Sequence, residues 1–373
     1  MSKIQMVDLR SQYERIKSEI DEAIQRVIDE TSFINGPDVK EFARALAEYN
    51  HVNHVVTCGN GTDALLIAMM ALDFNPGDEV IVPAFTYVAT VEVIALLGLK
   101  PVFIDVTPTT FQMDTSQLKE KITPKTVAIV PVHLYGQCSD MEYILSFARE
   151  NGLKVIEDTA QAIGATYSFS DGSSAKAGTM GDIGTTSFFP SKNLGCFGDG
   201  GALFTQDEVL AERLYQIANH GQSKKYYHRR VGVNSRLDTL QAAILNVKLK
   251  YLDSYAAARN QVAERYDRAF ADHKNIIIPQ REPNSTHVFH QYTIQVKEGR
   301  DELKAYLQAK GIPSMIYYPL PVHFQEAYLQ YGYQPGDFPV SESLCERVLS
   351  LPIHTEMRVE EQGVIIETIQ NYF

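Results

Sequence analysis

The chain has 373 residues, a formal net charge of −12, an apolar fraction of 45% and a charged fraction of 21%. That length and composition suit a globular protein with one large core and a smaller second one. The acidic balance argues against a general nucleic-acid binder, which carries a basic face. No run of 18 uncharged apolar residues offers a membrane span, and no start-proximal apolar stretch reads as a signal peptide. A cytoplasmic protein with no membrane partner is therefore expected. Cys58, Cys138, Cys196 and Cys345 are scattered without a CxxC pair, which fits reduced thiols and neither a disulfide framework nor a metal site.

In chain order, a helix is predicted over 12–29. Short β-like runs follow at 55–58, 79–82, 102–105, 127–132, 154–157, 185–189 and 202–205, with helical patterns at 62–72, 90–97, 139–151 and 206–218. This alternation predicts a mostly parallel sheet covered by helices. The last two strands lie too close for the usual crossover, so not every strand is expected to be parallel. Residues 237–271 read as one long helix joining two domains. Beyond it, runs at 291–296 and 314–318, a helix near 301–310 and a terminal helix predict a smaller α/β domain. The expected division is a large domain over 1–250 and a small one over 251–373, with the N-terminal helix free to pack on either.

The chemistry is concentrated around Lys192, in Ser187-Phe188-Phe189-Pro190-Ser191-Lys192-Asn193-Leu194-Gly195. An amine set among hydroxyls, aromatics and glycines just after a strand is placed as a nucleophile. Asp158 falls at the carboxyl end of the 154–157 strand, where open α/β sheets place ligand-binding groups; alone it would serve equally as a cap. Gly59-Asn60-Gly61-Thr62 opens a helix after an apolar run and offers backbone N–H groups to an anion. Together these imply one ligand with an aldehyde for Lys192, a cationic ring nitrogen for Asp158 and a phosphate for Gly61, Thr62 and Ser187. Pyridoxal 5′-phosphate has all three. Tyr87, at the start of a helix, reads from the residues alone as a packing side chain, with stacking on the ring as the alternative. Arg236 is a candidate for a substrate carboxylate, with a salt bridge to Asp238 as the alternative. Lys224, Lys225, Arg229 and Arg230 could attract an anionic substrate or simply form a solvated loop.

These segments, with Pro83-Ala84-Phe85-Thr86-Tyr87, Pro131-Val132-His133-Leu134-Tyr135-Gly136-Gln137, Glu157-Asp158-Thr159-Ala160-Gln161 and Gly232-Val233-Asn234-Ser235-Arg236, resemble the DegT/DnrJ-type sugar aminotransferases of PLP fold-type I. The resemblance spans most of the chain. It implies an aspartate aminotransferase-like fold, with a seven-stranded large domain and a smaller C-terminal α/β domain. It also implies Gln161 at the cofactor's phenolate oxygen and a homodimer in which Asn234 reaches the neighbouring subunit's phosphate. Thr31, Phe33, Ser191, Tyr317 and Tyr318 become candidate substrate contacts. Among the nearest family members the position of Tyr317 is histidine and that of Phe33 is tyrosine. The implied reaction is transamination of a nucleotide-linked ketosugar with L-glutamate as donor, serving surface polysaccharide (lipopolysaccharide, O-antigen) assembly. UDP-2-acetamido-2-deoxy-3-oxo-D-glucuronate is the expected substrate. The alternatives are a dTDP-linked 3-oxo-6-deoxyhexose, or a noncatalytic PLP-binding sensor.

Overall fold

The computed structural model describes residues 4–373. Three helices come first, α1 (Leu9–Arg15), α2 (Lys17–Glu30) and α3 (Pro37–Asn50). There follow β1 (His54–Cys58), α4 (Gly61–Ala71), β2 (Glu79–Pro83), α5 (Ala89–Leu96), β3 (Lys100–Ile104), β4 (Thr126–Ile129), α6 (Met141–Asn151), β5 (Lys154–Asp158), β6 (Ile183–Ser187), β7 (Gly201–Thr205) and α7 (Glu208–Ala218). The seven strands form one sheet in the order β1-β7-β6-β5-β4-β2-β3. Only β7 is antiparallel to its neighbours; the remaining pairings are parallel. The segment between β6 and β7 contains no crossover helix, so β7 returns antiparallel.

Both faces of the sheet are covered. Val80 and Val82 of β2 pack with Leu65 of α4 and Val91 and Ile94 of α5, while Ile81 between them packs with Met141, Ile144 and Phe147 of α6. Burial on both faces is why the strands read as unbroken apolar runs. Buried backbone at the sheet centre fixes the strand ends that carry Asp158 and Ser187, two strands that pair directly.

The C-terminal part comprises α8 (Thr239–Leu249), α9 (Leu252–Phe270), β8 (Ile276–Ile277), β9 (Tyr292–Val296), α10 (Arg300–Ala309), α11 (Pro339–Arg347), β10 (Val348–Leu351) and α12 (Val359–Gln370). Its antiparallel sheet, β8-β9-β10, has a separate apolar cluster that includes Tyr266, Phe270, Ile294, Leu303 and Ile365.

Three expected elements differ. The 12–29 helix is two helices broken at Ile16 (φ −119°), which turns its buried side chain into a cluster with Ile20, Ala243 and Val247. Thus α2 packs on α8, while α1 reaches Thr355 through Gln12 (3.3 Å). The 237–271 helix breaks between α8 and α9 around Tyr251 (φ −105°), whose hydroxyl donates to Glu19. Residues 314–318 form no strand, only a bridge between Met315 and Ser350; the third strand of the small sheet is β10.

Among the described residues, no helix is long and apolar enough to cross a membrane, and no group of three or more His, Cys, Asp or Glu side chains could hold a metal ion. All four cysteines are buried and free.

Candidate active site

A cavity of about 490 Å³ opens where the carboxyl ends of β5 and β6 meet the amino end of α4. Gly61, Thr62, Tyr87, Asp158, Gln161, Ser187, Ser191, Lys192, Tyr317 and Tyr318 all line it. Residues distant in sequence are therefore brought to one space by the sheet.

Lys192 lies in the tight segment after β6. That segment is closed by Lys192 N–H to Phe189 O (2.8 Å) and Cys196 N–H to Phe188 O (2.8 Å). Buried Lys248 braces it from beneath by donating to Gly195 O. Lys192 Nζ itself has no hydrogen-bond partner among the described residues. Burial pushes this ammonium down to about 8, while the negative charge of Asp158 pulls in the opposite direction. Since the ordinary value is 10.5, the folded chain sheds this proton before the unfolded chain does. The burial penalty is thus fully present below pH 8, and stability rises with pH between about 8 and 10.5. Competitive acetylation of the cofactor-free chain, read by peptide mass, is expected to give Lys192 a midpoint near pH 8 and exposed lysines a midpoint near their ordinary value. A Lys192 midpoint above 10 would contradict this picture of a desolvated amine.

Asp158 is buried and held at both oxygens. Oδ2 accepts from Thr90 Oγ1 (2.7 Å) and Oδ1 from Ala160 N–H (3.1 Å). Beneath it, fully buried Glu157 accepts from Gly178, Met180 and Gly181 N–H and pairs with His133 Nε2 at 2.9 Å. His133 Nδ1 accepts from Ser139 N–H, so its Nε2–H is the donor to Glu157. The strand end carrying Asp158 is therefore locked from behind.

At the opposite end of this set, Asn60 caps α4 by accepting from Asp63 N–H (2.8 Å). The approach of α4 to β6 needs a glycine, since a Cβ on Gly61 would sit 2.7 Å from Ser187 Cβ. Gln161 accepts from Tyr135 N–H (2.8 Å) and donates to Tyr318 Oη (3.1 Å), which leaves its second amide hydrogen for a ligand. Tyr87 is 57% exposed and its ring centroid lies 6.1 Å from that of Tyr318.

Four expected residues lie elsewhere. Asn234 is exposed and Arg236 half-buried, and neither lines this cavity. Arg236 makes no ion pair with Asp238 or any other acid among the described residues. Thr31 and Phe33 are also outside, in an exposed turn whose Phe33 O accepts from Thr239 N–H (3.0 Å). Ile34 and Asp238 are bridged, so this turn and the Arg236 segment are neighbours. Ser235 joins that segment to the site by accepting from Gly59 N–H (2.8 Å).

Sequence reasoning assigned no role to Thr90, His290, Gln291, Met6 or Val7. Thr90 has no local signature, because its link to Asp158 is purely tertiary. Gln291 reads only as the start of a strand and His290 as the residue before it, yet they line the cavity with Met6 and Val7.

The chain matches the DegT/DnrJ/EryC1/StrS aminotransferase family over residues 14–370. It belongs to that family. Similar curated proteins include a "pleiotropic regulatory protein" of Geobacillus stearothermophilus (45% identical, 99% of this chain and 98% of the relative). Two others are the UDP-2-acetamido-2-deoxy-3-oxo-D-glucuronate aminotransferase of Pseudomonas aeruginosa (44%, 99% and 100%) and the dTDP-3-amino-3,6-dideoxy-alpha-D-galactopyranose transaminase of Aneurinibacillus thermoaerophilus (42%, 99% and 99%). Among solved structures, a family aminotransferase from Brucella abortus superposes with TM-score 0.94 at 42% identity, covering 99% of both chains. NtdA of Bacillus subtilis, with bound cofactor PMP, gives 0.90 at 34%, covering 100% of this chain and 85% of that one. The fold is PLP fold-type I, and the protein is a pyridoxal-phosphate-dependent sugar aminotransferase. The residues fit that cofactor: an unpartnered amine, a fixed carboxylate and a helix start pressed against Ser187 stand in one cavity.

Proposed function

We propose that this enzyme moves the amino group of L-glutamate onto the C3 ketone of UDP-2-acetamido-2-deoxy-3-oxo-D-glucuronate, giving 2-oxoglutarate and the 3-amino sugar. Pyridoxal phosphate supplies an aldehyde to carry the amino group and a ring that absorbs carbanion charge. In this reading Lys192 holds the aldehyde, takes the proton from the α-carbon of glutamate, and later gives one to the sugar carbon that bore the ketone. Asp158 keeps the ring nitrogen protonated. Gly61 N–H, Thr62 and Ser187 bind the phosphate, helped by the positive end of α4. Gln161 donates to the phenolate oxygen and Tyr87 covers the ring.

The substrate assignment is carried by Arg236. Its guanidinium has no acid partner among the described residues and it lies beside the turn holding Thr31 and Phe33. A planar cation free of acid partners, offered by one subunit to the other's site, suits the uronate carboxylate, which a neutral 6-deoxyhexose lacks. Ser191, Tyr317 and Tyr318 would meet the sugar from within the cavity. Because Asn234 and Arg236 stand outside their own chain's cavity, the reading includes a homodimer in which each subunit completes the other's site. It also includes a large domain over 1–250 and a small one over 251–373, supported by an apolar cluster whose buried members all fall between Val262 and Ile369, and a cytoplasmic role in surface polysaccharide assembly.

Incubation with glutamate and a set of UDP- and dTDP-linked 3-oxo and 4-oxo sugars, read by product mass, tests this. The UDP-3-oxo-glucuronate is expected to give the highest kcat/KM, and Arg236→Leu to lower that value by about 10²-fold. Higher kcat/KM with a dTDP-linked 6-deoxyhexose would reassign the substrate.

A further inference from the structure

His290 and Gln291 keep only 7% and 8% of their surface and both line the cavity that contains Lys192. His290 Nδ1 and Gln291 Oε1 are buried with no hydrogen-bond partner among the described residues. Their backbone is held in place. The Arg259 guanidinium donates to the carbonyls of Phe289 (3.0 Å), His290 (3.2 Å) and Ile353 (3.2 Å), and Gln291 N–H reaches Tyr135 O (3.4 Å). A fixed backbone thus presents two adjacent polar side chains to one ligand space.

Buried polar atoms without partners are rare and costly in folded proteins, and they cluster where a ligand supplies the missing bond. The ligand's chemistry follows from charge. Burial, with the positive charges of Lys192 and Arg259 nearby, holds the His290 imidazole well below its ordinary value and therefore neutral. A neutral imidazole beside a primary amide is poorly suited to a carboxylate, which calls for a cation. It is well suited to a hydroxyl, which donates and accepts at once.

We propose that His290 and Gln291 together bind a ring hydroxyl of the keto-sugar next to the carbon being aminated, and so help decide which sugars are accepted. The inference rests on the aminotransferase reading of this cavity and adds a specificity-determining pair to it.

The test uses the full chain loaded with cofactor, and His290→Leu, Gln291→Leu and His290→Asn variants. Each half-reaction is followed separately. The probes are glutamate, the UDP- or dTDP-linked 3-oxo sugar that the parent protein converts fastest, and the analogue of that sugar lacking the ring hydroxyl beside the ketone. The leucine variants are expected to keep the glutamate half-reaction within about 3-fold and to lose on the order of 10²-fold in kcat/KM for the sugar. His290→Asn, whose amide can stand near the Nδ1 position, should recover most of that loss. The deoxy analogue should react alike with parent and leucine variants, since the contact is already missing. Should His290→Leu fail to fold, Gln291→Leu and His290→Asn retain the comparison. An equal loss in both half-reactions, an unchanged sugar half-reaction, or a further 10²-fold loss on the deoxy analogue would each overturn the assignment. A parent protein that aminates no ketosugar would overturn the underlying reading, and the pair's role with it.

Discussion

Lys192→Ala is expected to lower the glutamate half-reaction on the order of 10⁴-fold or more while the protein remains folded. The size follows from the side chain having two tasks. The same amine holds the aldehyde and carries the proton, and nothing else in the cavity substitutes for both: the neighbouring imidazole is held neutral by burial, and Asp158 has both oxygens engaged. Retention of the fold follows from the loop's construction. Its closing bonds run through the backbones of Phe188, Phe189, Lys192 and Cys196 and through Lys248 to Gly195 O. The Lys192 amine contributes none of them, and its desolvation opposes folding below pH 8. Stopped-flow absorbance after mixing with glutamate measures the first effect, and thermal melting of the cofactor-free chain the second. Turnover within tenfold of the parent would remove Lys192 from the reaction. A collapsed melting temperature would make it a structural residue instead.

The sheet and the core of this site are legible in the sequence because both are written locally. Apolar runs bounded by turn residues place seven strands. The C-terminal part is less legible because long-range partners define it. Helix α11 begins at Pro339, and the Asp105 carboxylate at the end of β3 accepts from Val340 N–H (2.9 Å) and Ser341 N–H (2.8 Å); no capping signal of that kind lies nearby in sequence. Strand β10 is a four-residue buried run whose register is set by β9, so it has no periodicity of its own to display. The helix breaks at Ile16 and Tyr251 escape pattern reading for a related reason. Each preserves local helical composition and redirects the chain to suit a distant contact. Thr90, His290 and Gln291 enter the site the same way, as ordinary residues in or beside predicted elements whose significance appears only when Asp158 and Lys192 stand beside them.

Asp158→Asn should cut both half-reactions by roughly 10²- to 10³-fold, with little change in melting temperature. Asparagine keeps the volume and one carbonyl oxygen, so Ala160 N–H can remain bonded and the turn after β5 stays capped. Glu157 and His133 still lock the strand from behind. What disappears is the negative charge that a protonated ring nitrogen needs in a buried site, where an unpaired cation readily gives up its proton. The capping and electrostatic roles therefore separate cleanly: because asparagine preserves the cap, a capping role alone predicts turnover and stability both retained, whereas the electrostatic role predicts turnover lost with the fold retained. A cofactor analogue methylated at the ring nitrogen sharpens the distinction. Its positive charge is permanent and needs no carboxylate to sustain it, so it should narrow the gap between Asp158→Asn and the parent protein. Because Asp158 also raises the Lys192 ammonium toward its ordinary value, the variant should move the Lys192 acetylation midpoint downward from about 8. An unchanged midpoint with undiminished turnover would leave Asp158 as a cap alone.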